Sequence, residues 1–288
     1  MKIKKIFCTL FDSMYMAKGM ALIESLIEKC NPETIFVLAL DDKVTPTLLA
    51  RFGSAPQIIH NSLDELMQDH HLAYAYKNRS KIEFYWTLAS YYSNWVLDTY
   101  DTPSITYLDS DMYFYDNCDK LLKEIGDCSI AITPHRFIPE KKHLECNGTY
   151  NVGWISFAND YTGNTCLDWW RHSCLEWCYS RVEPSRFGDQ KYLDEFIPMF
   201  GDTVCSIDNI GAGTAPWNLG NYKVGPGPTV DGKPIIFYHF HEFAEIKDGL
   251  IRYTNYILRA EDIKYIYDQY VKEYYKNKDF ITKHWSRV

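Results

Sequence analysis

The sequence predicts an α/β fold: a mixed, mostly parallel central sheet flanked by helices, with a helical C-terminal segment. Two observations carry this. Short apolar runs at residues 5–10, 34–40, 57–60 and 105–108 alternate with segments of helical periodicity, the pattern of strands buried on both faces. A length of 288 residues with 46% hydrophobic and 24% charged side chains is enough for one large core, and no repeat, low-complexity tract or linker divides it. A single domain over 1–288 is expected, with a ligand-binding half at 5–135, a second half at 136–243 and an extension at 244–288.

Taken in order, residues 5–10 form the first strand, then Asp12-Ser13 lead into a helix over 17–30. There Leu22, Ile23, Leu26 and Ile27 recur at helical spacing until Asn31-Pro32 stop it. Thr34 to Leu40 is a second strand, 48–52 a short helix, 57–60 a third strand and 63–71 a helix. Tyr76-Lys77-Asn78-Arg79-Ser80-Lys81 is a basic turn before an aromatic helix that runs to about Leu97. Three cations beside a helix start suit a phosphate, and suit a solvated turn about equally well. Residues 130–134 are a strand, 135–149 a polar loop that could move over a site, 150–157 a returning strand and 166–181 a tryptophan-rich helix. Gly188-Asp189-Gln190 opens an apolar helix, where Asp189 could serve only as an N-cap. The glycine-rich turn at 211–220 lacks the strand–glycine–helix setting of a dinucleotide or phosphate loop. In a last strand over 234–243, period two puts His239 and His241 on one face. From Ala260 onward the pattern is helical.

Aromatic residues make up 16% of the chain, with 23 Tyr and 8 Trp, a supply of flat faces for cores, bases or sugar rings. A net charge of −8 argues against a nucleic-acid surface. Nine cysteines without any C-x-x-C pair exclude a fully paired disulfide framework and a zinc ribbon, and Cys166, Cys174 and Cys178 read as buried thiols. No stretch approaches a membrane span, and the apolar N-terminal run is interrupted too early for a signal peptide. A cytoplasmic protein, at most peripheral at the inner face of a membrane, is expected.

The chemistry centres on Ile105-Thr106-Tyr107-Leu108-Asp109-Ser110-Asp111-Met112-Tyr113-Phe114. Two carboxylates one residue apart at the end of a buried strand are costly without a partner. A divalent cation shared with a phosphorylated ligand is such a partner. In a parallel α/β sheet ligands sit beyond the carboxyl ends of the strands, which brings in Thr9, Phe11, Asp12 and Tyr15 after the first strand.

These pieces, in this order, resemble the GT-A-fold (Rossmann-like) glycosyltransferases, in particular family 8, the glycogenin and bacterial lipopolysaccharide galactosyltransferase group. The matching segments are the strand ending near Thr9, Arg79-Ser80-Lys81, Tyr107 to Asp111, Tyr150-Asn151-Val152-Gly153, Gly188-Asp189-Gln190 and His239-Phe240, spanning about residues 5 to 243. The strings 151–157 and 187–193 are also similar to bacterial glycosyltransferases of cell-surface polysaccharide pathways. The resemblance implies Asp109, Asp111 and His239 as ligands of Mn²⁺ or Mg²⁺, with His241 as the fallback. It implies Thr9, Phe11 and Tyr15 around the nucleotide, Arg79 or Lys81 at the diphosphate or sugar, and Asn151, Asp189 and Gln190 around the transferred sugar. Asp109 would also reach the ribose. Trp154 and Trp217 are candidate platforms for an acceptor sugar. Glu242-Phe243 stand where family 8 continues toward a Lys-Pro-Trp clamp.

The function expected is transfer of a hexose from a nucleotide-diphosphate sugar, a UDP-sugar first, to a glycan or lipid-linked saccharide. A sugar-phosphate nucleotidyltransferase is the alternative, but residues 9–17 hold neither the glycine nor the arginine of its N-terminal loop. A non-catalytic glycan-binding protein and self-glycosylation on a tyrosine are two further readings.

Overall fold

In the computed structural model, which describes residues 2–247 and 249–286, the first hundred residues alternate strand and helix. They run β1 (Ile6–Phe11), α1 (Met16–Cys30), β2 (Thr34–Ala39), α2 (Val44–Phe52), β3 (Ile58–Ser62), α3 (Leu63–Leu66), α4 (His70–Asn78), α5 (Lys81–Tyr100) and β4 (Ser104–Leu108). The single helix expected over 63–71 is two. Ser62 and Glu65 form a capping box at α3, and Asp69 accepts the His71 amide at 2.7 Å to start α4 afresh. Next come β5 (Met112–Phe114), α6 (Asp119–Ile125), β6 (Ile130–Pro134), β7 (Tyr150–Ala158), α7 (Tyr161–Glu176), α8 (Phe196–Phe200) and β8 (Val204–Ser206). The polar stretch before β7 is not an open loop: Pro139–Asn147 winds into 3-10 turns. The segment after Gln190 likewise starts as a 3-10 turn, Lys191–Glu195, before the five residues of α8.

The main sheet has the order β3-β2-β1-β4-β7-β6-β8. Pairs β1–β2, β2–β3, β1–β4 and β6–β8 are parallel, while β4–β7 and β6–β7 are antiparallel. The sheet is therefore mixed and mostly parallel, with helices on both faces. Alternation along the strands sorts the core into two layers. Ile6, Cys8, Leu10, Ile105 and Tyr107 meet Phe84, Leu88 and Tyr92 of α5 and Trp170 of α7 on one side. Phe7, Phe11, Val37, Leu108 and Trp154 meet Leu22 and Leu26 of α1 on the other.

The C-terminal part holds β9 (Val224–Gly225), β10 (Thr229–Val230), β11 (Lys233–Pro234), β12 (Phe237–His239), β13 (Ala244–Lys247), β14 (Leu250–Arg252), α9 (Ala260–Asp262), a π-turn (Ile263–Tyr267) and α10 (Asp268–Trp285). The long last strand expected over 234–243 is thus only the short β12, which pairs antiparallel with β5. The hairpin β13–β14 had no signal in the sequence reading, since it is short and mostly solvated. All nine cysteines are free, and Cys166, Cys174 and Cys178 are buried as expected. Among the described residues no helix is long and apolar enough to cross a membrane.

Trp154 is not an acceptor platform. It is fully buried, stacked on Phe237 with centroids 5.4 Å apart and meeting Phe7 edge-on at 5.8 Å. Trp154→Ala is therefore expected to cost about 3–5 kcal/mol in urea unfolding, as for other buried aromatics truncated to alanine.

Candidate active site

β1 and β4 are adjacent, yet β1 leads outward to β2 and β3 while β4 leads the other way, so the strand order reverses between them. A crevice opens beyond their carboxyl ends, the usual ligand position in such sheets. Asp109-Ser110-Asp111 is the tight turn between β4 and β5, closed by the Met112 amide donating to the Asp109 carbonyl at 3.2 Å. The β5–β12 register sets His239 opposite Met112, so the histidine lands beside the turn although it lies far along the chain.

One side-chain atom each from Asp109, Asp111 and His239 lies within 4.8 Å of the others. His239 Nε2 is 3.0 Å from Asp111 Oδ1 and 3.7 Å from Asp109 Oδ2. For Asp109, burial pushes the carboxyl up to about 6, with His239 opposing and Asp111 adding to the rise. For Asp111, burial also acts against the charge, but the His239 charge and hydrogen bond outweigh it and hold the carboxyl below the usual range. Burial would lower His239; Asp111 reverses this and the imidazole ends above its ordinary value. His241 is pulled down by burial and by His239. Two carboxylates and an imidazole are a donor set for Mn²⁺ or Mg²⁺. Asp109 keeps 29% of its side chain exposed and lines a cavity of about 630 Å³, so a cation held here could also meet a ligand. The residues fit such an ion.

Of the residues nominated from sequence, Phe11, Tyr15, Asp109, Asp111, Asn151, Asp189, Gln190, Trp217 and His239 line this one cavity, and His241 does too. Asp189 is 7% exposed; burial first and Asp109 second push its carboxyl well above the usual range. Its backbone carbonyl accepts the Trp170 indole N–H at 2.8 Å, and the preceding Gly188 has φ +52°, a conformation that favours glycine. Trp217 is almost wholly enclosed. It is 4% exposed, donates Nε1–H to the His135 carbonyl at 3.0 Å, and packs at 5.2 and 5.4 Å from the His239 and His241 rings. It frames the two histidines and offers no open face for a sugar.

Three nominated residues are elsewhere. Thr9 lies inside β1, 1% exposed and outside the cavity wall, since the strand continues past it to Phe11. Arg79 is spent on structure: its guanidinium donates to Thr87 Oγ1 and to the Leu175 carbonyl at 2.7 Å, and it lies over the Tyr179 ring. Lys81 pairs with Asp12 Oδ2 at 2.6 Å. Arg79 and Lys81 line a neighbouring cavity of about 460 Å³, which shares Asp12 and Tyr85 with the larger one.

Sequence reasoning missed three polar groups. Arg252, on the unexpected hairpin, lines the large cavity and is steadied by Nε–H donation to the Glu242 carbonyl at 3.3 Å. Lys18, in the first turn of α1, is 7% exposed with Nζ 4.2 Å from the Tyr15 ring centroid; burial lowers its pKa and Asp111 opposes this. A lysine at a buried position of an apolar helix face was the available signal. His135 lines the cavity and is pushed down to about 3 by burial, so it is neutral.

No protein-family model matches the chain. It is 28% identical over 281 residues to YfnF of Bacillus subtilis (strain 168), covering 92% of this chain and 89% of that one. To YfnD of the same strain it is 30% identical over 275 residues, covering 92% and 87%. Both relatives are uncharacterized proteins. Among solved structures it is similar to the galactosyltransferase LgtC in complex with donor and acceptor sugar analogues (TM-score 0.53, 16% identity, 82% of this chain and 86% of that). It is also similar to the glycosyltransferase GlyE of Streptococcus pneumoniae TIGR4 (TM-score 0.59, 12% identity, 99% and 64%). A third is mouse xyloside xylosyltransferase 1 (TM-score 0.53, 11% identity, 82% and 97%). The shared architecture is the GT-A fold of the glycosyltransferases.

The placement of Arg79 makes a prediction. Arg79→Ala should lose about 2–3 kcal/mol of stability in urea, the scale of hydrogen bonds made by a charged donor.

Proposed function

The chain belongs to one protein family with YfnD of Bacillus subtilis and carries a GT-A glycosyltransferase fold, and on that premise we propose that it is a metal-dependent hexosyltransferase. The donor is a nucleotide-diphosphate sugar, a UDP-sugar first, and the acceptor a glycan or lipid-linked saccharide of cell-surface polysaccharide synthesis. The observation that carries this reading is the convergence of Asp109, Asp111 and His239 on the wall of a 630 Å³ cavity at the strand-order reversal.

Asp109, Asp111 and His239 would hold Mn²⁺ or Mg²⁺, which when bound supplies positive charge against the donor diphosphate. Arg252, which lines the cavity, adds a positive charge in place of the Arg79 or Lys81 expected from sequence. Phe11 and Tyr15, at the end of β1, flank the nucleotide. Asp189 and Gln190 face the transferred sugar. As the bond from the anomeric carbon to the diphosphate breaks, positive charge grows on the sugar ring, and Asp189, once ionised against the burial that raises its proton affinity, stabilises that charge or orients the acceptor hydroxyl. Glu242 is less free for that role, since its Oε2 accepts the Asn255 amide at 3.0 Å. Nine free thiols support a reducing, cytoplasmic setting, and a lipid-linked acceptor would bring the protein to the membrane face.

A thermal-shift screen of nucleotide sugars with and without Mn²⁺ tests the reading. A UDP-sugar should raise the melting temperature of the native protein only with the metal. Asp111→Asn should abolish that shift and slow donor hydrolysis and transfer by about 10²-fold or more, the scale for losing a charge-stabilising group. Full activity in that variant would sink the proposal.

Metal binding should also depend on pH in a definite direction. His239 must lose its proton to ligate, and its pKa lies above the ordinary imidazole value. Asp109 takes up a proton at about 6. Affinity is therefore full above both values and falls as the pH drops through them, by about tenfold per unit for each proton displaced. Mn²⁺ titrations followed by electron paramagnetic resonance between pH 8 and pH 5.5 measure this; a flat profile would exclude His239 as a ligand.

A further inference from the structure

Asn151, on β7, forms a hub behind the ligand cluster. Its Oδ1 accepts the Gly153 amide at 2.8 Å and lies 3.3 Å from His239 Nδ1. Its Nδ2 lies 3.4 Å from Gln190 Oε1 and 3.3 Å from His135 Nε2. These four contacts agree on one amide orientation. Flipped, Nδ2 would face the Gly153 N–H, donor against donor. Gly153 is what permits the convergence, since a Cβ there would lie 2.6 Å from Asn151 Oδ1 and 3.0 Å from His239 Nδ1.

The far side of the hub is equally constrained. Neutral His135 can accept at Nε2, and Gln190 Oε1 can only accept, so both contacts want the two N–H groups of Asn151 Nδ2. Gln190 is itself held in place by donating Nε2–H to the Asn147 carbonyl at 3.0 Å, which fixes its own amide orientation. With Oδ1 of Asn151 so committed, His239 can meet it only as a donor.

We propose that Asn151, oriented by Gly153, His135 and Gln190, is a positioning residue that accepts the Nδ1–H of His239 and keeps that proton in place when a metal takes Nε2 over from Asp111, the Nε2 proton leaving to solvent. The second ring nitrogen of a ligating histidine commonly sets the tautomer in this way. This rests on the metal-dependent reading above and deepens it: Asn151 acts through His239, where the sequence resemblance put it at the transferred sugar. His135 gains a role that the sequence did not suggest.

The test has two independent readouts. Long-range ¹H–¹⁵N correlation spectra of histidine-labelled protein at pH 9 with saturating Mg²⁺ should show a hydrogen-bonded Nδ1–H on His239 in the wild type that loses its hydrogen bond in Asn151→Leu; an unchanged Nδ1–H signal in that variant would overturn the inference. Mn²⁺ affinity is then measured for Asn151→Leu, which removes the acceptor and the donor at similar volume. It should fall about tenfold or more, the scale for outer partners of metal ligands. Asn151→Asp, which keeps the acceptor for His239 and Gly153, should retain more of the affinity than Asn151→Leu. Wild-type affinity in Asn151→Leu, or equal loss in both variants, would overturn the proposal while leaving the metal reading intact. Absence of Mn²⁺ binding by the wild-type protein would instead overturn the metal reading.

Discussion

The contact between His239 and Asp111, at 3.0 Å, is the interaction on which the site depends. Without it the turn after β4 would hold two carboxylates against a largely buried wall, each raising the proton affinity of the other. With it Asp111 stays ionised, and the burial penalty and like-charge repulsion fall on Asp109. The division leaves one strong anion and one carboxyl that a cation can recruit by displacing a proton.

That contact is held from behind by the C-terminal segment. His239 lies between Tyr238 and Phe240, which point the other way, as period two requires. Tyr238 hydroxyl meets Tyr267 hydroxyl at 3.0 Å, and the Phe240 ring stacks on Tyr270 at 3.6 Å. The π-turn and α10 supply these partners, and α10 packs in turn on α1, where Asn277 Nδ2 donates to Glu24 at 3.1 Å. The tyrosine-rich tail is therefore a clamp on the strand that carries the histidine. Its composition alone could not separate this role from a cover or a partner surface.

Much of the fold and the centre of the site were legible because their signals are local. Continuous apolar runs mark strands buried on both faces, and Asp109 and Asp111 announce themselves by their cost. His239 was legible through the motif order. The cations were not. Arg79 looks like a ligand for phosphate in sequence, but its hydrogen-bond partners lie 8 and 96 residues away, at Thr87 and Leu175. Arg252 belongs to a hairpin too short and polar to show periodicity. Thr9 could have been placed better, since the alternation of Phe7, Thr9 and Phe11 sends it inward with its neighbours. His135 carried no signal of its own: its place depends on β6 and β7 pairing side by side, a long-range fact.

The ligand cluster comes from one three-residue turn and one strand end, whereas the cavity rim comes from separate pieces: the 3-10 segment Pro139–Asn147, the turn at Gly188 and the stretch around Arg252 and Tyr256. The first and last of these meet where the Lys141 ammonium lies over the Tyr256 ring, 5.6 Å from its centroid. Such surface segments tolerate replacement far better than sheet strands do. The architecture is thus modular in an evolutionary sense. Rim segments can diverge to admit new ligands while the carboxylate–histidine corner, set by the β5–β12 register, stays fixed.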